Sequence, residues 1–135
     1  MYARISILCL IIFFVFTSCQ ERKAEVFARE AKEYTETTCP LMMDDFTRID
    51  SVVFVGRNDR IGDMVMYYTL FLDDESRKVV MDNLGELAEM NLKELRNSVR
   101  FTKYREAGVE FTYIYHDDAT GDKIMECHFT KKDYE

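Results

Sequence analysis

The chain opens on a run from Ile5 to Phe16 that is apolar at every position but Ser6, and beyond it alternates between apolar and charged positions. In AEVFAREAKEYTE, Phe27, Ala31 and Tyr34 recur at spacings of four and three with charge between them, which predicts a short amphipathic helix. Thr37-Thr38-Cys39-Pro40 should end it, because the residue before a proline is pushed out of the helical region. SVVFVGR and MVMYYTLFL flank the turn-like NDRIGD and predict a β-hairpin. In the second strand Met64, Met66, Tyr68, Leu70 and Leu72 share one face while Val65, Tyr67 and Phe71 share the other. A strand apolar on both faces suits the middle of a sheet. Asp73 and Asp74 then supply carboxylates for the exposed N–H groups of a long helix, whose stripe is Met81, Leu84, Ala88, Leu92, Leu95 and Val99. FTKYREA predicts a further helical piece ending at Gly108.

The last element allows a register to be assigned. VEFTYIYHD and DKIMECHFT flank Ala119-Thr120-Gly121, a three-residue hairpin loop with glycine at its left-handed position. That loop sets Phe111 opposite Phe129, Tyr113 opposite Cys127 and Tyr115 opposite Met125 on one face. On the other face Thr112 meets His128, Ile114 meets Glu126 and His116 meets Ile124. The order helix-ββ-helix-ββ predicts an α+β fold: one antiparallel sheet of about four strands, with helices packed on one face.

The opening run has Arg4 before it and small residues after it, and its 12 residues are too few to span a bilayer. This is the pattern of a secretory signal. Phe16-Thr17-Ser18-Cys19 resembles a bacterial lipobox, with Phe16 where leucine is more usual. The resemblance implies cleavage before Cys19, diacylglycerol on its sulfur and a further acyl chain on its new amino group. Two or three chains anchor a protein stably where one does not. An uncleaved anchor or an ordinary signal peptide is the alternative. The predicted organisation is a signal peptide over 1–18, a lipidated tether over 19–23 and one α+β domain over 24–135. Gln20 stands where enterobacterial lipoproteins held at the inner membrane tend to carry Asp. Together with the mixed charge of Gln20-Glu21-Arg22-Lys23, this favours the outer membrane, facing the periplasm.

Composition narrows the function. At 135 residues, 47% hydrophobic and 32% charged, the chain has room for one globular domain. Its net charge of −7 opposes nucleic-acid binding and electrostatic adhesion to anionic lipid. With Cys9 in the signal and Cys19 lipidated, Cys39 and Cys127 are left to form a disulfide, which the envelope permits. The alternative is that Cys127 is a small buried hydrophobe and Cys39 a free thiol. His116 and His128 fall on one sheet face but roughly 13 Å apart at the strand rise, too far to share a metal. Asp44-Asp45, Asp73-Asp74 and Asp117-Asp118 each sit where the sequence needs a turn or a cap. No phosphate loop, nucleophile elbow or HExxH is present. The expectation is therefore a non-enzymatic protein with no cofactor and no metal.

EAKEYTETTCP, FTRIDSV, the helix ending LKELRNSV, and FTYIY with TGDKIMECHFTKKDY resemble a group of small Bacteroidetes-type lipoproteins of unknown function. The resemblance covers most of the mature chain. It implies an α+β fold and an envelope location, and it brings no catalytic residue.

The surplus apolar surface carries the functional expectation. Val65, Tyr67, Phe71 and Ile114, bordered by His116 and His128, would form an aromatic-aliphatic patch on the outer sheet face, suited to an envelope protein partner. A lipid anchor in the membrane would hold the domain near that partner. The alternative is a small-ligand pocket between the sheet and the long helix, lined by Tyr68, Tyr104 and Tyr113.

Overall fold

The computed structural model describes residues 22–135. The predicted signal peptide 1–18 and Cys19 lie outside the described residues. Residues 22–37 form helix α1, so 22–23, read from sequence as tether, are already helical. The strands are β1 (Leu41–Met42), β2 (Thr47–Gly56), β3 (Gly62–Leu70), β4 (Glu110–Asp117) and β5 (Lys123–Phe129). The other helices are α2 (Asp74–Asp82), α3 (Leu84–Asn97), α4 (Thr102–Glu106) and α5 (Lys131–Tyr134), with a 3₁₀ turn over Val99–Phe101.

The α+β class stands, but the sheet has five strands in the order β1-β2-β3-β4-β5, and it is mixed, not antiparallel. β3 and β4 are neighbours and run parallel, with Met64 beside Phe111 and Tyr68 beside Tyr115. The cause is topological: α2, α3 and α4 carry the chain from the end of β3 back to the end at which β3 began. The fifth strand, β1, is only two residues long, too short to leave an alternating pattern.

Between β4 and β5 the register matches the expectation from Phe111–Phe129 to Tyr115–Met125. It then shifts, and His116 meets Lys123 instead of Ile124. Gly121 at φ 75° makes the turn, and Gly108 at φ 78° follows α4. The long helix departs from expectation more. Asn83, at φ −126° and ψ 29°, divides it into α2 and α3. Asp73 does cap α2, its Oδ1 accepting from the Ser76 N–H at 2.7 Å. Only the middle of the stripe packs inward: Leu95 is fully buried, whereas Met81 is 49% and Val99 86% exposed. The helix break and the 3₁₀ turn each change the phase of the stripe.

The core lies between one sheet face and α1, α3 and α5. Phe27 and Ala31 of α1, Leu95 of α3 and Tyr134 of α5 meet Met64, Met66, Phe111, Tyr113, Tyr115, Met125, Cys127 and Phe129. Burial of each such side chain contributes roughly 1.5–3 kcal/mol. Tyr113, Tyr68 and Tyr115 stack, with centroids 6.2 and 4.8 Å apart, and the Tyr115 hydroxyl donates to Asn91 Oδ1 at 3.1 Å. The core face of the sheet is thus built as the alternation predicted.

Candidate functional site

A groove opens on the helix side of the sheet, where α1 and α4 do not meet along their full lengths. One wall is α1 and the turn after it, contributing Glu30, Glu33, Tyr34 and Thr37 from the helix and Thr38 from the turn. The opposite wall is Arg100, Phe101, Lys103 and Tyr104. Ile49 and Val52 of β2 and Met64, Met66 and Tyr68 of β3 form the floor, and Met43 closes in from the β1–β2 loop. The cavity measures about 460 Å³.

At the Glu30 end the two walls are clasped. Glu30 accepts from Lys103 Nζ at 2.8 Å and from the Tyr104 hydroxyl at 2.6 Å. Below them the Phe27 and Tyr104 rings meet edge to face at 4.8 Å. Burial pushes the Glu30 carboxyl up, but these two bonds and the ammonium charge outweigh it, so it lies below its ordinary value. Burial, and after it the same contact, holds the Tyr104 hydroxyl protonated well above the usual tyrosine range. Farther along, α1 is fixed to β2 by Thr35 and Val52, which exchange two hydrogen bonds of 2.8 Å.

Strand β1 and the loop after it, beside the groove, expose apolar side chains in close succession: Leu41 (41%), Met42 (49%), Met43 (44%) and Phe46 (55%). Asp44 shapes this loop, its Oδ1 accepting from the Phe46 and Thr47 N–H groups at 2.8 and 2.7 Å. Exposed methionines and a phenylalanine next to an apolar cavity make a surface suited to contact with another molecule.

The outer sheet face brings together most of the residues expected there. Val65 pairs with Thr112, Tyr67 with Ile114 and Thr69 with His116 across β3 and β4, and Thr112 with His128 across β4 and β5. Val53, exposed at 44%, extends the row from Val65 onto β2. Phe71 lies one residue past β3, with the Arg48 guanidinium 5.1 Å from its ring. His128 Nδ1 is 2.8 Å from the Thr112 hydroxyl, and its Nε2 is 3.6 Å from Glu110. Of these two neighbours only Thr112 is hydrogen-bonded to the ring. Among the described residues no cluster of three or more His, Cys, Asp or Glu has the geometry to hold a metal ion.

Cys39 and Cys127 are not brought together. Both are free thiols, Cys39 in the link between α1 and the edge strand β1, and Cys127 buried on β5 at the other edge. The small-ligand expectation also shifts: Tyr68 and Tyr104 line the groove, whereas Tyr113 is 2% exposed within the core and α3 contributes no lining residue. The sequence reading missed Met43, Ile49 and Val52 as one surface. The available signal was the apolar Leu41-Met42-Met43 and Phe46 in a stretch without helical or strand periodicity.

Residues 22–125 match a family described as a domain of unknown function, DUF8479. The chain belongs to the DUF8479 family. Two solved structures share the fold of this DUF8479 protein. One is a Pseudomonas aeruginosa protein described as secreted, with a TM-score of 0.65 at 10% identity, covering 86% of this chain and 93% of its own. The other is the pilotin of the Vibrio vulnificus type 2 secretion system, with a TM-score of 0.63 at 10% identity, covering 87% and 97%. No curated relative matches the chain. Among the described residues no helix is long and apolar enough to cross a membrane.

Proposed function

We propose that this DUF8479 protein is a lipid-anchored envelope protein that receives a segment of a partner protein in the groove between α1 and α4. The observation that carries the reading is the groove itself, an apolar cavity of about 460 Å³ continuous with the exposed Met43. Acyl chains on Cys19 would confine the domain to the membrane surface and raise its effective concentration near a membrane partner. The fold shared with a secreted protein and with a pilotin supports an envelope setting by analogy of architecture. The outer membrane, facing the periplasm, is the location this reading assigns. No residue is given a catalytic role.

The outer sheet face is the second reading, favoured by the aligned Val53, Val65, Tyr67 and Ile114. A photo-crosslinking amino acid placed at Met43 or at Tyr67 of the full chain, in its own envelope, separates the two. A discrete adduct from Met43 and none from Tyr67 supports the groove, and the converse transfers the function to the outer face. Radiolabelled palmitate incorporated into the wild type and absent from Cys19→Ala would support the anchor, and equal labelling would overturn it.

A further inference from the structure

The two edges of the sheet are finished differently. At one edge β1 is only two residues long, and the Thr35 side chain occupies the β2 backbone beyond it at Val52. At the other edge β5 runs for seven residues, and among the described residues its backbone pairs with β4 alone. Alternate residues of an antiparallel strand direct their N–H and C=O groups to opposite sides, so part of the β5 backbone faces outward. The register shift beside His116 and Lys123 disturbs only the first end of this edge and leaves 125–129 regular. A regular, unblunted edge is a template for another strand.

The order of side chains along β5 selects the strand. A two-fold axis at Cys127 lays β5 antiparallel to β5 of a second copy, with Glu126 opposite His128 and Met125 opposite Phe129, each twice by symmetry. Glu126 and His128 are both half-exposed, with 45% of each side chain accessible. Glu126 engages Lys123 through Oε2 alone, at 2.7 Å. His128 Nδ1 is held by Thr112, while its Nε2 has no hydrogen-bond partner among the described residues, Glu110 being 3.6 Å away. An acceptor and a ring nitrogen are thus available to each other across the axis. Axes at the neighbouring residues do worse: at Glu126 or His128 like side chains oppose each other, and at Met125 the apolar Ile124 faces Glu126. The pairing ends where Thr130 caps α5.

We infer that this chain pairs with a second copy of itself through the free edge of β5, two-fold about Cys127, joining the two five-stranded sheets into one continuous sheet. The inference does not rest on the groove, which lies toward the β1 edge. Two short strands bury less surface than a standard interface, so the pair gains from confinement at a membrane.

The test therefore traps the pair in the cell envelope, using the full chain with Cys39→Ser. Copper phenanthroline accepts the two electrons released when facing thiols join, and a non-reducing gel counts the product. The expected result is a covalent dimer that disappears with Cys127→Ser. Glu126→Cys, in a chain lacking Cys39 and Cys127, should give no dimer, because position 126 faces position 128 and not itself. Glu126→Lys or His128→Glu alone should lower the trapped fraction about tenfold, and the two together should restore it, since opposite charges then face each other again. A dimer indifferent to both single swaps, or one trapped through Glu126→Cys, overturns the pairing. Because Cys127 is only 8% exposed and reacts slowly, native mass spectrometry of the untrapped full chain supplies a second readout. Two copies, lost with His128→Glu and regained with both substitutions, support the pairing. A single copy, or two copies indifferent to the swaps, overturns it.

Discussion

Thr35 and Val52 exchange two hydrogen bonds: the Thr35 hydroxyl accepts from the Val52 N–H and donates to the Val52 carbonyl, both at 2.8 Å. Strand β1 pairs with β2 only at Ile49 and Arg48, so the β2 backbone beyond them lacks a strand partner on that side. A helix side chain takes the place of the missing strand and blunts a sheet edge. Thr35→Val keeps the shape and removes both bonds, leaving a half-buried donor and acceptor unmatched. The expected cost is about 1–3 kcal/mol, read from urea unfolding at constant m. No change in the midpoint would mean that water serves these groups as well.

Two glycines should respond in opposite senses to alanine. Gly62 has φ +142°, and a Cβ there would collide with the Val55 carbonyl oxygen and lie 2.6 Å from Phe54 Cζ. Gly85, in the first turn of α3, has open space where a Cβ would stand, with nothing within 4 Å. Gly62→Ala should cost about 3 kcal/mol or more, from strain and a backbone clash together. Gly85→Ala should stabilise by about 0.5–1 kcal/mol through helix propensity. Thermal melts of the two variants check both signs, and equal effects would refute the local geometry at Gly62.

The sequence shows some of these features and hides others for physical reasons. The β4–β5 pairing from Phe111–Phe129 to Tyr115–Met125 is legible because turn chemistry and alternation specify it independently. The slip that brings Lys123 opposite His116 leaves no trace in an alternating pattern. That β3 and β4 run parallel follows from a helical crossover between neighbours, a relation no single segment encodes. Met81 and Val99 continue a helical spacing across Asn83 and the 3₁₀ turn, where the phase is lost. The groove is the least legible feature, since Glu30, Met43, Met66 and Phe101 come from four separate segments.

Acid should destabilise the domain through a few identifiable carboxylates. The Arg77 guanidinium bonded to Asp117 holds that carboxyl below its usual value, and the Ala119 N–H adds to the effect. Burial pushes Asp63 up, but hydrogen bonds from Arg57 and Arg60 outweigh it, so it too is lowered. Folded values below the unfolded one mean that protons favour the unfolded chain. The stabilisation is fully present above the unfolded aspartate value of about 3.9 and is lost as pH falls through the depressed folded values. Urea midpoints measured from neutral pH downward should fall steeply below about pH 4. Asp117→Asn should be less stable at neutral pH yet lose less on acidification. An identical pH slope in both proteins would remove Asp117 from this account.

At the alkaline end the tyrosines should control stability. Burial pushes Tyr115 up to about 12, against a lowering from its bond to Asn91, and burial also takes Tyr134 to about 12. Tyr68 and Tyr113 are raised further, by burial and then by neighbouring charge. Neutral rings are favoured in the fold, so their contribution is fully present below the unfolded value of about 10 and is lost as pH rises through the folded values. Tyrosinate absorbance should therefore rise in two steps, the second accompanied by loss of far-ultraviolet circular dichroism. A single step near pH 10 with the dichroism intact would show the stacked rings to be accessible.

The two thiols offer a final discrimination. Cys127 faces the core opposite Tyr113 and is 8% exposed, and burial raises its thiol above the ordinary value. Burial, and after it the Asp50 carboxylate, raises Cys39 as well. Protonated thiols are poor nucleophiles, so both should react slowly with a thiol reagent in the native protein. Unfolded in urea without reductant, both should react at once, since neither is bonded. Dithiothreitol should leave the urea midpoint of the full chain unchanged. A bridge closing this ~90-residue loop would contribute up to roughly 4 kcal/mol, so its reduction would move the midpoint far outside error. Such a shift would mean that α1 and β5 approach each other in an arrangement other than this one, and that the groove beside Cys39 is reshaped by oxidation.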